Sequence, residues 1–418
     1  MKQYIFTILF TATVTLVFSW AVWRLGLRYK LYPAIRARDV HTTPTPRLGG
    51  IAMFLGAVAA FAVSAFTPYF EIFWTNPRTV WAILAAMALT VLVGVADDLW
   101  DLDWMIKLAA QFLAAGIIAW FGQLQIYSLP IGGMTVPSAG VSFTLTVFAI
   151  VIVMNAVNFI DGLDGLVAGV CLIAGVIFFA YSYFVVRDSG ASSYFNLASF
   201  IAAVLVGMCV GFLPMNWHPA KLFMGDSGAL VLGLLMATSA IAITGQFDPA
   251  TLDPDEFGRS QLLGAFVPIL LPVAVAILPL IDFGSAVIRR YWRGKSPFSP
   301  DRKHLHHRML DMGHSARTAV LVFYSWTAVL GLSILLMYIG VSHGWPGQYW
   351  GGVVFGVIGI AACLVVTLMP NHRRPVAAAS TPDAPDAPDA PGAAVTGAAA
   401  PPASARPAAV PVVHEENR

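Results

Sequence analysis

Charged residues are scarce in this sequence. Asp, Glu, Lys and Arg make up 11% of its 418 residues, whereas 58% are hydrophobic. A soluble globular domain contains about 25% charged residues. The composition therefore excludes a soluble enzyme and predicts an integral membrane protein, with aqueous loops too short to form a separate soluble domain.

Cysteine is also nearly absent. The three cysteines, Cys171, Cys209 and Cys363, all fall within apolar segments. Cysteines in such segments behave as small buried hydrophobic residues. The sequence therefore gives no support for a disulfide framework or for a thiolate metal site.

Long hydrophobic runs make up most of the chain. About twenty apolar residues cross a bilayer as a helix, and about eleven runs approach that length. They span roughly 4–23, 48–66, 79–96, 105–121, 143–158, 163–186, 195–213, 227–245, 264–283, 319–340 and 350–369. The first run is too long for a signal peptide and has no small-residue cleavage site, so we expect a retained helix. The predicted fold is an all-α polytopic membrane domain over 1–370, with about eleven transmembrane helices.

Residues 371–418 have a different composition from the rest of the chain. They contain Pro-Asp-Ala repeats followed by an Ala/Pro-rich run. Such a segment cannot bury enough apolar surface to form a core. We expect a disordered cytoplasmic tail without a catalytic role.

Lysine and arginine predict the orientation of the helices. They are concentrated in the loops after the first and ninth hydrophobic runs and are sparse in the loops of the opposite side. Positively charged loops remain in the cytoplasm. We therefore expect the N-terminus outside and the C-terminus in the cytoplasm.

Four clusters that contain Asp lie at the ends of hydrophobic runs. The clusters are Asp97-Asp98, the stretch 155–164, Asp226 and Asp301, and all four fall on the predicted cytoplasmic side. Carboxylates at the inner edge of a membrane bundle are typical of a site for a metal ion and a phosphate. The pattern predicts one active site at that edge.

Asp97 and Asp98 end the third run, and Lys107 opens the next. Adjacent carboxylates repel unless a cation or a water-filled cleft lies beside them. We expect the pair to face Mg²⁺ or a phosphate, with Lys107 pairing to a phosphate oxygen. A solvated turn that only ends a helix is the alternative.

The stretch 155–164 has a polar residue at every third position. These residues are Asn155, Asn158, Asp161 and Asp164. A three-residue step turns a regular helix by about 300°, so the four side chains would not share one face. Gly162 and Gly165 indicate that the helix unwinds and exposes the carboxylates to a cleft. A polar hairpin between two helices is the alternative.

Asp226 lies in Met-Gly-Asp-Ser-Gly, just before the eighth run. The position suits a helix N-cap, and it also suits an acid in a glycine-rich turn that binds a divalent cation directly. We expect the second role. Phe223, three residues earlier, either stacks on a nucleobase or anchors the loop in the membrane interface.

His304, His306 and His307 precede Arg308 in the longest basic loop. No cysteine accompanies them, and the carboxylates elsewhere suit Mg²⁺. We expect these residues to donate to phosphate oxygens, with Arg308 bidentate, rather than to bind zinc or only to orient the loop.

Arg47, in Pro-Arg-Leu-Gly-Gly, either contacts an anionic substrate or lies at the membrane interface.

Five motifs occur in a fixed order over about 40–315, nearly all of the predicted catalytic core. They are Pro44-Thr-Pro-Arg47-Leu-Gly-Gly50, Asp97-Asp98, Asn155-Ala-Val-Asn158-Phe-Ile-Asp161-Gly-Leu-Asp164, Met224-Gly-Asp226-Ser-Gly228 and His304-Leu-His306-His307-Arg308. Each is weak alone, but the ordered set is specific. The chain resembles the polyprenyl-phosphate N-acetylhexosamine-1-phosphate transferases of glycosyltransferase family 4, and within them the bacterial branch that uses UDP-N-acetylglucosamine.

This resemblance implies a reaction. N-acetylglucosamine 1-phosphate passes from UDP-N-acetylglucosamine to undecaprenyl or decaprenyl phosphate, and UMP leaves. The product would begin a cell-envelope polysaccharide such as an arabinogalactan linker, teichoic acid or O-antigen. The implied location is the bacterial inner (plasma) membrane, with the active site facing the cytoplasm. The implied partners are the nucleotide sugar, the lipid phosphate and the bilayer, with a homodimer left open and no nucleic acid.

The resemblance and the motifs together imply residue roles. The expected cofactor is Mg²⁺, with Mn²⁺ as a substitute, held by Asp226, Asp98 and Asn158. The expected catalytic residues are Asp97, Asp98, Asp161, Asp164, His304, His306 and His307. The expected substrate-binding residues are Arg47, Lys107, Asn155, Asn158, Phe223 and Arg308.

Three alternatives remain at this stage. The phospho-MurNAc-pentapeptide translocases share the Asp motifs but typically have three consecutive histidines. A transporter would suit kinked helices and intramembrane Asn, although transporter sites usually lie near the midplane. A membrane scaffold would use the basic loops to bind anionic lipid.

Overall fold

The structure of the protein is a computed structural model. It describes residues 1–32, 45–127, 129–130, 134–135, 138–189, 194–244, 309–310, 312–343 and 349–369, with short stretches between 277 and 294. The predicted tail, most of run 264–283 and the residues Asp301, His304, His306, His307 and Arg308 lie outside the described residues. Every described residue belongs to one compact unit, Met1–Arg374. The predicted domain boundary at 370 stays a prediction.

The described part of the chain is almost entirely helical, which confirms the all-α fold. Its helices are α1 (Lys2–Arg28), α2 (Gly49–Ser64), α3 (Glu71–Thr75), α4 (Arg78–Trp100), α5 (Trp104–Gly116), α6 (Ala139–Phe159), α7 (Leu166–Ser189), α8 (Tyr194–Asn216), α9 (Gly225–Thr244), α10 (Ala316–Ser342) and α11 (Trp350–Leu368). A 3₁₀ turn (Pro68–Phe70) precedes α3, and a π turn (Ile117–Phe121) extends α5. Between α5 and α6, β1 (Leu129–Pro130) pairs antiparallel with β2 (Met134–Thr135).

Nine of the described helices are long and apolar enough to cross a membrane, with α5 and its π turn counted as one. The shorter α2 forms a pair with 68–75 that is bent by 95°, and this pair would be a tenth span. The protein is therefore a multi-pass membrane protein. All the predicted runs except 264–283 coincide with these helices, whereas the orientation of the termini stays a prediction.

Helix α9 lies at the centre of the bundle. It packs against α2, α4, α6 and α8, and 94% of its most apolar 18-residue window is buried, compared with 22% for the peripheral α11. A helix that is hydrophobic on all sides needs protein on all sides to be buried in this way. Residues at the start of α9 are therefore surrounded by the ends of several other helices.

Helix α1 packs directly against α8 through small residues. Thr11 and Thr15 on α1 are fully buried, and a Cβ atom at Gly211 of α8 would lie only 2.9 Å from the Cβ atom of Thr15. Small residues let membrane helices approach closely where lipid offers no hydrophobic driving force. This contact fixes α1 on the central helices.

One end of the bundle brings four connections together. The segment 45–48 before α2 contacts the α8–α9 loop (Trp217–Met224) through a hydrogen bond from the Phe223 N–H to the Pro46 carbonyl, 2.9 Å. The N–H groups of Gly49 and Gly50 donate to the carbonyls of Phe223 and Met224, at 3.0 and 3.1 Å. The α4–α5 and α6–α7 turns reach the same loop and the start of α9, through the side-chain contacts described below.

Candidate active site

Lys107 joins two of the predicted acidic clusters. From the first turn of α5, its Nζ lies 3.0 Å from Asp97 Oδ2 and 3.3 Å from Asp226 Oδ2. Asp97 also accepts a hydrogen bond from the Leu102 N–H, 2.9 Å. The Lys107 and Asp226 side chains are 27% and 29% exposed, so both can be reached from outside. One ammonium group thus lies between two carboxylates from different helices.

Asp98 has a different environment from its neighbour. Its Oδ1 accepts from the backbone N–H of Asp226, 3.1 Å, and its Oδ2 accepts from the N–H and Oγ of Ser227, 3.4 and 3.0 Å. The first N–H groups of a helix have no partner within the helix, and they favour a negative charge. Asp98 therefore caps α9 from another helix and fixes the position of Asp226. Its predicted catalytic and metal roles stay predictions.

Gly225 makes this approach sterically feasible. Its φ is +70°, a region that residues with a Cβ atom rarely adopt. A Cβ atom there would collide with the carbonyl of Arg47 and the carboxylate of Asp98. The glycine of the Met-Gly-Asp motif is thus required by the contact between the two Asp motifs.

We expect Asp98→Ala to destabilise the metal-free protein by about 0.5–2 kcal/mol, the usual effect of losing a helix N-cap. The measurement is thermal unfolding of the purified protein in detergent and EDTA. Asp226→Ala is the matched control, because the Asp226 side chain makes no such bond to the N-terminus of α9. Equal melting temperatures for the two variants would show that the cap contributes nothing.

Asn155 is engaged within the bundle. Its Nδ2 donates to the Val151 carbonyl, 2.8 Å, and to Oε1 of Gln111 on α5. Gln111 is buried and lies one turn after Lys107. Asn155 therefore connects α6 to the helix of Lys107, and its predicted contact with substrate stays a prediction.

Asn158 lies one turn after Asn155, where α6 ends. Its Oδ1 is buried and has no hydrogen-bond partner among the described residues. A buried carbonyl oxygen without a partner is costly. This atom therefore suits a ligand, either a cation or a donor group of a substrate.

The α6–α7 turn separates Asp161 from Asp164. The side chain of Asp164 is 3% exposed, and its Oδ2 lies 2.8 Å from Nδ1 of His218 and 3.1 Å from the Ala220 nitrogen. Asp161 is exposed on the cleft, near Asp226, Arg47 and Asp164. The helix ends at Phe159, as the two glycines predicted. Only Asp161 of the pair is open to the cleft.

The Asp161 carboxyl group is open to the cleft and has three charged neighbours, Asp226, Asp164 and Arg47. Partial desolvation by the surrounding protein raises its pKa from 3.8 to about 7; Asp226 and Asp164 raise it further by repulsion, and Arg47 opposes them. A carboxyl group with a pKa near 7 is half protonated at neutral pH. Its charge therefore depends on what else binds in the cleft.

This pKa predicts a pH effect on stability. The folded protein holds the Asp161 proton more tightly than the unfolded chain does. The resulting stabilisation is complete below pH 3.8 and is lost as the pH rises through about 7. Melting temperatures of metal-free Asp161→Asn should therefore fall less between pH 5 and pH 8 than those of the wild type, since asparagine does not titrate. Identical slopes would contradict the shifted pKa.

Arg47 and Phe223 enter the site from neighbouring segments. The charge of Arg47 acts on Asp161, and the segment of Arg47 is paired to the backbone of Phe223. The Phe223 side chain is partly buried. The structure thus brings Arg47, Asp97, Asp98, Lys107, Asn158, Asp161, Phe223 and Asp226 to one end of the bundle, around the start of α9. His304, His306, His307 and Arg308 lie outside the described residues, so their predicted roles stay predictions.

Several residues of this region are not among those predicted from the sequence. Gln111 could have been found, because it is a polar residue four positions after Lys107 in an otherwise apolar run. Ser227, Asn216 and His218 lie in or beside the Met-Gly-Asp-Ser-Gly segment. No sequence pattern showed that their partners are Asp98, Gly165 and Asp164.

The donor atoms fit a magnesium ion that is shared with a substrate. Among the described residues, no three His, Cys, Asp or Glu side chains form a ready metal cage. Mg²⁺ is usually bound by one or two carboxylates together with substrate phosphates and waters. The carboxylates beside Lys107 and the buried Asn158 Oδ1 are hard oxygen donors of this kind.

Comparison with known proteins shows the family. The family model described as glycosyl transferase family 4 matches residues 80–244. A decaprenyl-phosphate N-acetylglucosaminephosphotransferase of Mycolicibacterium smegmatis is 37% identical over 84% of this chain and 84% of the relative. The chain belongs to glycosyl transferase family 4. The family predicted from the five motifs is confirmed.

Other relatives in this family have related names. The decaprenyl-phosphate N-acetylglucosaminephosphotransferase of Mycobacterium tuberculosis (strain CDC 1551 / Oshkosh) is 38% identical over 82% of each chain. A probable undecaprenyl-phosphate N-acetylglucosaminyl 1-phosphate transferase of Bacillus subtilis is 31% identical over 72% of this chain and 75% of the relative. The matched family region contains Asp97, Asp98, the stretch 155–164 and Asp226, so it covers most of the described site.

Proposed function

We propose that this protein transfers N-acetylglucosamine 1-phosphate from UDP-N-acetylglucosamine to a polyprenyl phosphate and releases UMP. The names of the relatives support the sugar phosphate and the lipid acceptor. The observation that carries the proposal is the Lys107 ammonium held between Asp97 and Asp226 at one end of a membrane bundle. Such a place suits a reaction in which one substrate lies in the lipid and the other in water.

The reaction brings several negative charges together. A phosphate monoester carries about −1.5 to −2 at neutral pH, and the diphosphate of the nucleotide sugar adds more. An oxygen of the lipid phosphate attacks the β-phosphorus, and the bond from that phosphorus to the UMP oxygen breaks. Positive charge placed beforehand lowers the barrier to such a step.

In our proposal, separate residues of the site bind the phosphates and the cation. Lys107 neutralises a phosphate oxygen, and Arg47 attracts the anionic substrates toward Asp161. Asp226, with Asp97 and the Oδ1 of Asn158, would hold a divalent cation. That cation, Mg²⁺ or Mn²⁺, would neutralise the diphosphate and polarise the attacked phosphorus. Asp98 keeps Asp226 in place through its bonds to the start of α9.

A general base is not essential in this mechanism. The second pKa of a phosphate monoester is near 6, so most of the lipid phosphate is already deprotonated at neutral pH. Asp97 is engaged by Lys107 and by the Leu102 N–H. We therefore propose that Asp97 and Asp98 act by positioning. Recovery of an Asp97→Asn variant at high pH would instead support a base.

We further propose that the site faces the cytoplasm in a bacterial inner membrane. Six cationic residues lie in or beside the connection between α1 and α2 in the sequence: Arg24, Arg28, Lys30, Arg36, Arg38 and Arg47. The charge of Arg47 acts on Asp161, which supports a position of this basic segment beside the Asp motifs. Loops rich in lysine and arginine stay cytoplasmic, and a nucleotide sugar would reach the site from that side. The lipid product would then begin a cell-envelope polysaccharide.

The test is a transfer assay with purified protein. UDP-N-acetylglucosamine labelled in the sugar is incubated with Mg²⁺ and either undecaprenyl or decaprenyl phosphate. We expect a tunicamycin-sensitive lipid-linked sugar and an equal amount of UMP, with Mn²⁺ able to replace Mg²⁺. Formation of lipid product only from UDP-MurNAc-pentapeptide would favour the translocase alternative. Uptake into vesicles without any lipid product would favour a transporter.

A further inference from the structure

The α8–α9 loop is attached to the α6–α7 turn by a buried carboxylate. The side chain of Asp164 is 3% exposed, and its Oδ2 accepts from both Nδ1 of His218, 2.8 Å, and the N–H of Ala220, 3.1 Å. An ionised carboxylate can only accept hydrogen bonds. The Nδ1 atom of His218 therefore carries the proton in this contact. The imidazole ring itself is 41% exposed, so burial of the ring does not account for its position.

A second set of hydrogen bonds supports the same attachment. The N–H of Gly165 donates to Oδ1 of Asn216, and Nδ2 of Asn216 donates to the carbonyl of Leu222, both at 3.0 Å. The hydroxyl of Tyr324 on α10 donates to the carbonyl of Gly165. The turn is thus bonded to Asn216, whose amide also closes the segment 216–222 onto Leu222, and Tyr324 of α10 bonds the turn as well.

The remainder of the loop leads directly into the site. Phe223 is paired to Pro46 and to Gly49, Met224 is paired to Gly50 at the start of α2, and Asp226 follows in the first turn of α9. The attachments at Asp164 and at Pro46 therefore define where the loop enters the site. A loop released at one of them would move Phe223 and the start of α9 relative to Asp161.

We propose that His218 is a positioning residue of this transferase, and that Asp164 serves mainly as its buried anchor. The proposal rests on the proposed function, because the loop matters to catalysis only if Phe223 and Asp226 meet the nucleotide sugar and its cation. It assigns no contact between His218 and the reacting phosphates. Asp161 then remains the carboxylate of the turn that faces the cleft.

The geometry of the contact defines a matched pair of substitutions. The Nδ2 atom of asparagine is separated from Cβ by one carbon, as Nδ1 of histidine is, so His218→Asn keeps a donor toward Asp164. Glutamine has one more carbon, and its amide matches Nε2 instead. His218→Gln therefore keeps polarity and size but removes the donor from the required place.

The first measurement is steady-state kinetics of the full-length protein. Loss of a supporting hydrogen bond in a site typically costs about 10–100-fold. We expect His218→Gln and His218→Ala to raise the KM for UDP-N-acetylglucosamine and the Mg²⁺ concentration at half-maximal rate by about tenfold or more. The KM for polyprenyl phosphate should change little, and His218→Asn should stay within about threefold of the wild type in every constant. A general loss of folded protein would lower kcat and leave both constants unchanged.

The second measurement reports the loop without any turnover. Lys221 is exposed within the loop, so trypsin can cut after it when the loop leaves its place. Cleavage there should be faster in His218→Gln than in the wild type or His218→Asn. Equal cleavage and equal KM values for the Asn and Gln variants would overturn the proposal. A wild type that makes no lipid-linked sugar, but shows the expected order of cleavage, would refute the proposed reaction and leave the loop attachment supported.

Discussion

Asp226→Asn is expected to lower kcat by about a hundred- to a thousandfold, the range typical of removing one preorganised electrostatic group from an active site. Asparagine has nearly the same shape as aspartate. The bond from the residue 226 N–H to Asp98 uses the backbone and is therefore retained. What the substitution removes is the negative charge beside Lys107, at the place where we propose that a divalent cation binds the diphosphate. The loss should therefore be chemical and not structural.

Two measurements distinguish a loss of charge from a loss of structure in Asp226→Asn. The affinity for Mn²⁺, followed by electron paramagnetic resonance, should fall together with kcat, while the melting temperature of the metal-free protein stays close to the wild type. Asp101→Asn is the matched control, because Asp101 is an exposed carboxylate in the α4–α5 turn. Its left-handed backbone, φ 54°, is one that asparagine also tolerates. More than a tenth of the wild-type kcat in Asp226→Asn would argue against Asp226 as the main cation ligand.

Lys107→Met is expected to have opposite effects on turnover and on cation binding. Methionine keeps an unbranched chain but removes the ammonium that lies 3.0 Å from Asp97 and 3.3 Å from Asp226. The two carboxylates would then lack their common positive partner, and a divalent cation would be attracted more strongly. In contrast, kcat should fall by about a hundredfold or more, because the transferring phosphates lose a fixed charge.

The decisive comparison is between Mn²⁺ binding without substrates and turnover with saturating substrates. We expect tighter Mn²⁺ binding and slower turnover in Lys107→Met than in the wild type. Lys107→Arg keeps the charge and should bind Mn²⁺ about as the wild type does, with turnover between the two. Weaker Mn²⁺ binding in Lys107→Met would show that Lys107 supports the cation instead of competing with it.

Most of the fold could be predicted from hydrophobic length alone. A bilayer requires about twenty apolar residues per helix, and this requirement makes each span visible in the sequence. Hydrophobic length alone did not predict bends within a run or the exact ends of a helix. The run 48–66 gave no sign that the helix ends at Ser64 and turns by 95° into 68–75. The run 143–158 is part of a longer helix, Ala139–Phe159, because small and polar residues extend it beyond its apolar centre.

The sequence predicts where the candidate site lies but not the contacts within it. Helix ends that fall on the same side of a membrane must lie near one plane, so the Asp motifs could be assigned to one site. The partners within that plane depend on how the helices pack. Asp98 meets the Asp226 N–H across 128 residues of sequence, and Lys107 meets Asp226 across 119. No local pattern encodes such pairs, and for this reason the neighbouring residues Asp97 and Asp98 were not distinguished.

The backbone pairing between the start of α2 and the end of the α8–α9 loop also has a consequence for biosynthesis. Gly50 leaves the ribosome 174 residues before Met224 does, as the difference 224 − 50 shows. At a synthesis rate of about 5–20 residues per second, its N–H group waits roughly 10–35 s for its partner. During that interval the first two membrane helices are present without their final contact at the membrane edge. The proposed active site is therefore a late product of membrane insertion, completed only when α9 has joined the helices made at the beginning.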